Sequence, residues 1–238
     1  MAVEASGSRL LNRHPRRVRL FHAAVYLTTL PLLLTGWWLL LGGEGNPSPL
    51  ARLFGTGDTR VHVWFGRALL VVALVPLVAG RRGIVTFVRE TLRVDRGDGR
   101  WWVRWPVGSL TGRFGRHEGR FDPGQRLANV VIVVGLLVLT GTGIALTLLH
   151  GGPVFAQLAR IHKWTTYIVT PFILGHMLIA FSVLPGYRGV WRSMHFGGRV
   201  RESTARRVWP GWAERSLPHA TSNDTADRPS GAAEGRRA

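Results

Sequence analysis

The sequence predicts an all-α integral membrane protein, a bundle of four spanning helices with both termini on the cytoplasmic side. Three observations predict it. Apolar residues make up 46% of the 238-residue chain and are gathered into four long blocks rather than spread periodically. The 31 Lys and Arg against 13 Asp and Glu leave a net charge of +18, which lies almost wholly outside those blocks. There is no Cys, which excludes a disulfide framework, thiolate zinc sites and iron–sulfur clusters on this chain. The apolar share excludes a disordered basic tail protein. The separation of charge from apolar residues removes the case for a nucleic-acid partner.

Residues 1–19 read as a cytoplasmic arm carrying Arg9, Arg13, Arg16, Arg17 and Arg19, and residues 20–215 as one four-span domain. The blocks run over about 20–41, 61–79, 127–149 and 164–184, each long enough to cross a hydrocarbon core of about 30 Å as a helix. Arg67 is the one basic residue inside them. The first block is too long for the apolar region of a signal peptide, and no small-x-small cleavage site follows it, so it reads as a retained span.

The connection 80–126 carries eleven Arg and the segment after the fourth block ten, whereas the other two connections hold only Arg52, Arg60 and Arg160, with Lys163 at the fourth helix's mouth. Basic loops stay cytoplasmic. The charge therefore reads as a topology signal in a multi-pass protein of the cytoplasmic (inner) membrane, with contact to anionic membrane lipids. The 80–126 loop, with Trp101, Trp102 and Trp105, is expected as a short amphipathic or irregular piece at the inner interface. Residues 216–238 are Ser/Thr/Pro/Ala/Gly-rich and read as a disordered tail. No internal repeat is evident.

Four of the nine His lie in or at the ends of the spans: His22, His62, His162 and His176. His176 is well inside the fourth, where an ionisable side chain marks function by default. An interhelical hydrogen bond is the plainer alternative. His162 and His176 are fourteen residues apart, which at about 100° per residue leaves them on nearly one face, roughly 21 Å apart along the axis. His22 opens the first span on the inside and His62 the second on the outside. Depth thus pairs His22 with His176 and His62 with His162. Two facing imidazoles are what a b-type haem needs, one nitrogen above and one below the iron. Zinc would want further ligands, and no Asp, Glu or Cys stands at those depths. Gly36, Gly66 and Gly175 lie near the four His and read as clearing space for a flat macrocycle, although small residues also serve plain helix packing. Gly135, Gly141 and Gly143 on the third helix read as packing.

Four stretches carry a resemblance: "RHPRRVRLFHAAVYLTTLPLLLTGWWLL", "RVHVWFGRALL", "FDPGQRLANVVIVVGLLVLTGTGIAL" and "RIHKWTTYIVTPFILGHMLIAF", continued by "GRVRESTARRVWPGWAE". From about Arg9 to Glu214 the chain resembles the gamma (cytochrome b) subunit of membrane-bound formate dehydrogenases. That subunit belongs to a wider group with the cytochrome b subunits of nickel–iron hydrogenases and thiosulfate reductase. The resemblance implies two haem b groups on the pairs above and a menaquinone site beside the inner one. It also implies an iron–sulfur subunit that feeds the outer haem from a catalytic molybdenum- or tungsten-pterin subunit. The fourteen-residue His spacing and Gly124–Gln125 are its most specific elements. Val208-Trp209-Pro210-Gly211-Trp212 stands where the family has a His-Pro-x-Trp stretch, a departure that bears on the partner contact.

The expected chemistry is electron transfer, from the outer pair to the inner pair to menaquinone. Asp122 and Gln125, at the inner mouth of the third helix, are the quinone-site candidates; Asp122 before Pro123 reads equally as a helix N-cap. Arg19, Arg67, Arg126, Arg160 and Lys163 are candidates to pair haem propionates. His14, His117, His150, His195 and His219 fall in polar connections and read as solvated. The alternatives are a hydrogenase or other oxidoreductase cytochrome b subunit, a stand-alone quinone-linked di-haem cytochrome, and a haem-free scaffold or transporter.

Overall fold

A computed structural model describes residues 9–42, 45–79 and 81–217. Four long helices dominate: α1 (Arg16–Leu40), α3 (Asp58–Ala79), α6 (Pro123–Leu148) and α7 (Gly152–Ala180), with a short α2 (Pro49–Leu53) between the first two. Three of them are long and apolar enough to cross a membrane, and α7 makes a fourth together with Pro185–His195, from which it bends by 60°. They pack as two hairpins, α1 against α3 and α6 against α7, joined through α3 and α6. Where α6 crosses α7, a Cβ on Gly135 would come within 2.0 Å of Val169, so that crossing tolerates no side chain. Large apolar residues such as Leu27, Leu34, Val71, Leu77, Leu137 and Leu178 point outward, as they do where the solvent is lipid.

The fourth helix differs from its apolar block. It starts twelve residues earlier than 164, at Gly152, with Pro153 in its first turn, and it ends at Ala180, where Ser182 turns the chain with a φ of 58°. Its first twelve residues carry Gln157, Arg160 and Lys163. Helix and apolar run are separate properties. A helix of 29 residues is about 44 Å long, so part of it stands outside a hydrocarbon core.

The connection 80–126 is more ordered than the sequence reading has it. It holds two helices, α4 (Arg81–Thr91) and α5 (Asp98–Thr111), the latter closed by Gly112 at φ 78°. Trp101 is not an interfacial residue: it is 1% exposed and lies beside Phe114. Beyond α7 come a 3₁₀ turn (Pro185–Tyr187), α8 (Arg192–His195), α9 (Glu202–Val208) and α10 (Pro210–Ser216). Residue 216 thus ends a helix, and the rest of the expected tail, with His219, lies outside the described residues from 218 onward.

The all-α expectation needs one addition. Leu10–Asn12 (β1) pairs antiparallel with Arg199–Arg201 (β2), Leu11 opposite Val200. This ribbon ties the N-terminal arm to the C-terminal segment. Around it lies a buried cluster of Leu11, Tyr187, Val200, Ala205, Val208, Trp209, Trp212 and Ala213, with Phe114 from the middle connection. The Arg13 guanidinium sits 4.1 and 4.2 Å from the Trp209 and Trp212 rings and donates to the Arg120 carbonyl, while Arg120 donates back to the Arg13 carbonyl at 2.8 Å. Arm, middle connection and C-terminal segment therefore form one basic cap at one end of the bundle.

Candidate functional site

Inside the bundle the four His come together as two pairs. His22 on α1 faces His176 on α7, ring centroids 6.1 Å apart. His62 on α3 faces His162 on α7, centroids 6.2 Å apart. The first pair lies at the cap end, the second at the far end. Two metal–imidazole bonds of about 2 Å each, with about 1 Å from each nitrogen to its ring centre, separate such centroids by about 6 Å. Both pairs meet that separation, so each could hold a single metal ion between its two rings. Among the described residues Nδ1 of His22 is buried with no hydrogen-bond partner. No cluster of three or more His, Cys, Asp or Glu among the described residues could hold a metal ion.

The far pair is held by two threonines that the sequence reading passed over. Thr35 Oγ1 stands 2.9 Å from His62 Nδ1, and Thr142 Oγ1 stands 2.9 Å from His162 Nδ1. Each Thr is followed by a glycine against the same ring. A Cβ on Gly36 would come within 3.2 Å of His62 Cε1, and one on Gly143 within 3.4 Å of His162 Cε1. Gly36 therefore clears space for the imidazole edge. Gly66 would only touch Leu32 at 4.0 Å, and Gly175, next to His176, faces open space within 4 Å. A local repeat thus exists: each hairpin sets a Thr-Gly step on one helix against a His on the next. The recurring dipeptides Thr35-Gly36 and Thr142-Gly143 were its only trace in the sequence.

Around the cap-end pair, Tyr26 lies 5.7 Å from His22 and 6.0 Å from His195, ring to ring. His195 and His150 are exposed, as expected, and His14 is half-buried. His117 is not solvated. It is 1% exposed, and its Nε2–H donates to the Val208 carbonyl at 2.9 Å, which fastens the middle connection to α9.

Asp122 is the N-cap of α6: it accepts from the Gln125 amide N–H at 2.8 Å, with Pro123 in the first turn. It is 5% exposed, and burial pushes its carboxyl above the ordinary range. Gln125 is half-buried beside it. Among the basic candidates, Arg126 is already engaged, its guanidinium on Asp98 at 2.7 Å and Asp95 at 3.5 Å, which withdraws it as a propionate partner. Arg19 donates to the Met194 carbonyl at 3.0 Å. Arg67, Arg160 and Lys163 are exposed.

A comparison with curated proteins finds no match. Residues 13–197, most of the chain and all four His, match the family model described as prokaryotic cytochrome b561. Four helices of membrane length with facing imidazoles agree with that match, and the chain belongs to the prokaryotic cytochrome b561 family of multi-pass membrane proteins that bind haem b and carry electrons.

Proposed function

We propose that the chain is the di-haem cytochrome b subunit of a membrane oxidoreductase, with His22 and His176 the axial ligands of one haem b and His62 and His162 those of a second. The observation that carries this is the pair of cross-helix imidazole separations, 6.1 and 6.2 Å, at opposite ends of one bundle. A haem held by the two histidines of each pair would supply one-electron transfer, and two protein ligands per iron would leave no site for oxygen activation. His162 and His176 share α7, so one rigid helix fixes the distance between the two sites. Trp37 Nε1–H, donating to Thr170 Oγ1 at 3.0 Å, locks α1 to α7 between them. Arg160 and Lys163, near the far pair, carry charge suited to propionates.

The far end receives electrons and the cap end, on the cytoplasmic side of the inner membrane, delivers them to menaquinone. The basic cap supports that orientation through the positive-inside rule. Charge moved this way works against the membrane potential, about 2.3 kcal/mol per charge per 100 mV. The quinone site is proposed at the mouth of α6, where Gln125 offers an amide and Asp122 a carboxyl whose raised pKa suits it to carry a proton. The donor is an iron–sulfur subunit with its catalytic subunit, formate dehydrogenase-like on the resemblance of the four stretches above. Exposed Val103, Val107 and Leu110 on α5, flanked by Arg100 and Arg104, make a face for anionic membrane lipids.

A dithionite-reduced spectrum with haem-to-protein stoichiometry tests the core of this. The expected ratio is near two, and His176→Ala is expected to lower it to near one. A wild-type ratio near one breaks the two-site assignment, and no b-type bands would select a haem-free scaffold. Affinity purification of the tagged chain from mild detergent tests the partners: co-recovery of an iron–sulfur subunit supports the complex, and a lone, quinol-reducible cytochrome supports the stand-alone alternative.

A further inference from the structure

We infer that Thr35 and Thr142 are positioning residues that fix the tautomer of the far-end imidazoles and hold the haem there at a lower potential than the cap-end haem. The inference rests on the di-haem reading above and concerns only this chain's own residues.

A threonine hydroxyl has one proton. Thr35 Oγ1 donates it to the Pro31 carbonyl at 2.8 Å, and Thr142 Oγ1 donates its own to the Val138 carbonyl at 2.7 Å. What each oxygen then presents to its histidine, at 2.9 Å, is a lone pair. Nδ1 of His62 and of His162 must therefore carry the hydrogen, and Nε2 is left bare, the form in which an imidazole binds a metal. Both rings of the pair are fixed the same way, by the same device, from two different helices.

Among the described residues the His22 ring lacks this support, since its Nδ1 is buried without a partner. A hydrogen bond from the far nitrogen makes a ligating imidazole a stronger donor and so favours the oxidised iron. Two such bonds at one pair and none at His22 order the two sites. The far end is the lower-potential site, and electrons pass toward the cap end downhill. The glycines that follow the threonines lie against the same rings: a Cβ on Gly36 would press on His62 at 3.2 Å, and one on Gly143 would touch His162 at 3.4 Å.

The test is a potentiometric titration of the full-length detergent-solubilised protein carrying Thr35→Val, Thr142→Val, both together, Thr35→Ser or Thr142→Ser. Thr28→Val is the control, because among the described residues the Thr28 hydroxyl bonds only carbonyls of its own helix, Ala24 and Val25. Wild type should titrate in two components. Each Val variant should raise the lower component alone, the double variant should raise it further, and the Ser variants and the control should leave it in place. Loss of one haem in a Val variant that the matching Ser variant retains also supports the positioning role. An unmoved lower component with both haems present overturns the inference, as do a shift of the higher component instead, a single-component wild type, or haem loss in Val and Ser alike. A wild-type protein without haem is a separate result, and it sinks the di-haem reading itself.

Discussion

Among single residues the sharpest contrast is between two glycines chosen for the same reason. A Cβ on Gly36 would crowd His62 at 3.2 Å, whereas one on Gly175 would meet no protein atom within 4 Å. On the di-haem reading, Gly36→Ala should therefore displace His62 and lower far-end haem content, and Gly175→Ala, which meets no protein atom, should leave the far-end haem in place; absorbance per mole of protein reads both. Asp122 separates two roles in one side chain. Asp122→Ala removes the cap of α6 and should cost about 1 kcal/mol, seen as a lower melting temperature. Asp122→Asn keeps an acceptor oxygen for the Gln125 amide and should melt near wild type. If the quinone role is right, the Asn variant nevertheless loses quinone reduction, because it has no proton to give.

At the level of elements, the cap has a buried core of the soluble kind, and histidine burial makes it sensitive to acid. His117 is pulled below its ordinary value near 6.5 by burial, with Arg126 lowering it further against the pull of Asp122 and Asp95. His14 shifts the same way, to about 3, burial again leading. The unfolded chain takes up those protons below pH 6.5 and the folded cap does not, so stability falls as pH drops below that value. Fluorescence of the cap's Trp residues should report loosening on that limb. His117→Gln, whose amide can still donate to the Val208 carbonyl, should flatten part of it. The sequence reading placed His117 in solvent because a Gly- and Arg-rich stretch carries no periodicity. Its burial comes from α9, ninety residues away, and no local pattern encodes that contact.

Over the whole molecule, the basic arm, middle connection and C-terminal segment meet at one end, which concentrates most of the +18 charge on one side of the bundle. With no native Cys, single cysteines can map that topology. Thr111→Cys and Ser216→Cys should react with an impermeant thiol reagent only after cells are opened, and His150→Cys in intact cells. The reverse pattern would invert the proposed direction of electron flow.

Hydropathy and the arginine distribution were enough to find three membrane-length helices and a candidate fourth, and their grouping into basic and neutral ends, because lipid imposes length and apolarity on each span separately. The depth of each His could likewise be counted along its own helix. Which side chains finish the site was decided only by the packing of helices on one another. Thr35, Thr142 and Gly143 act through neighbours on another helix, and the cap assembles from segments far apart in the chain. Such contacts depend on how two surfaces meet, a property that no single stretch of sequence possesses.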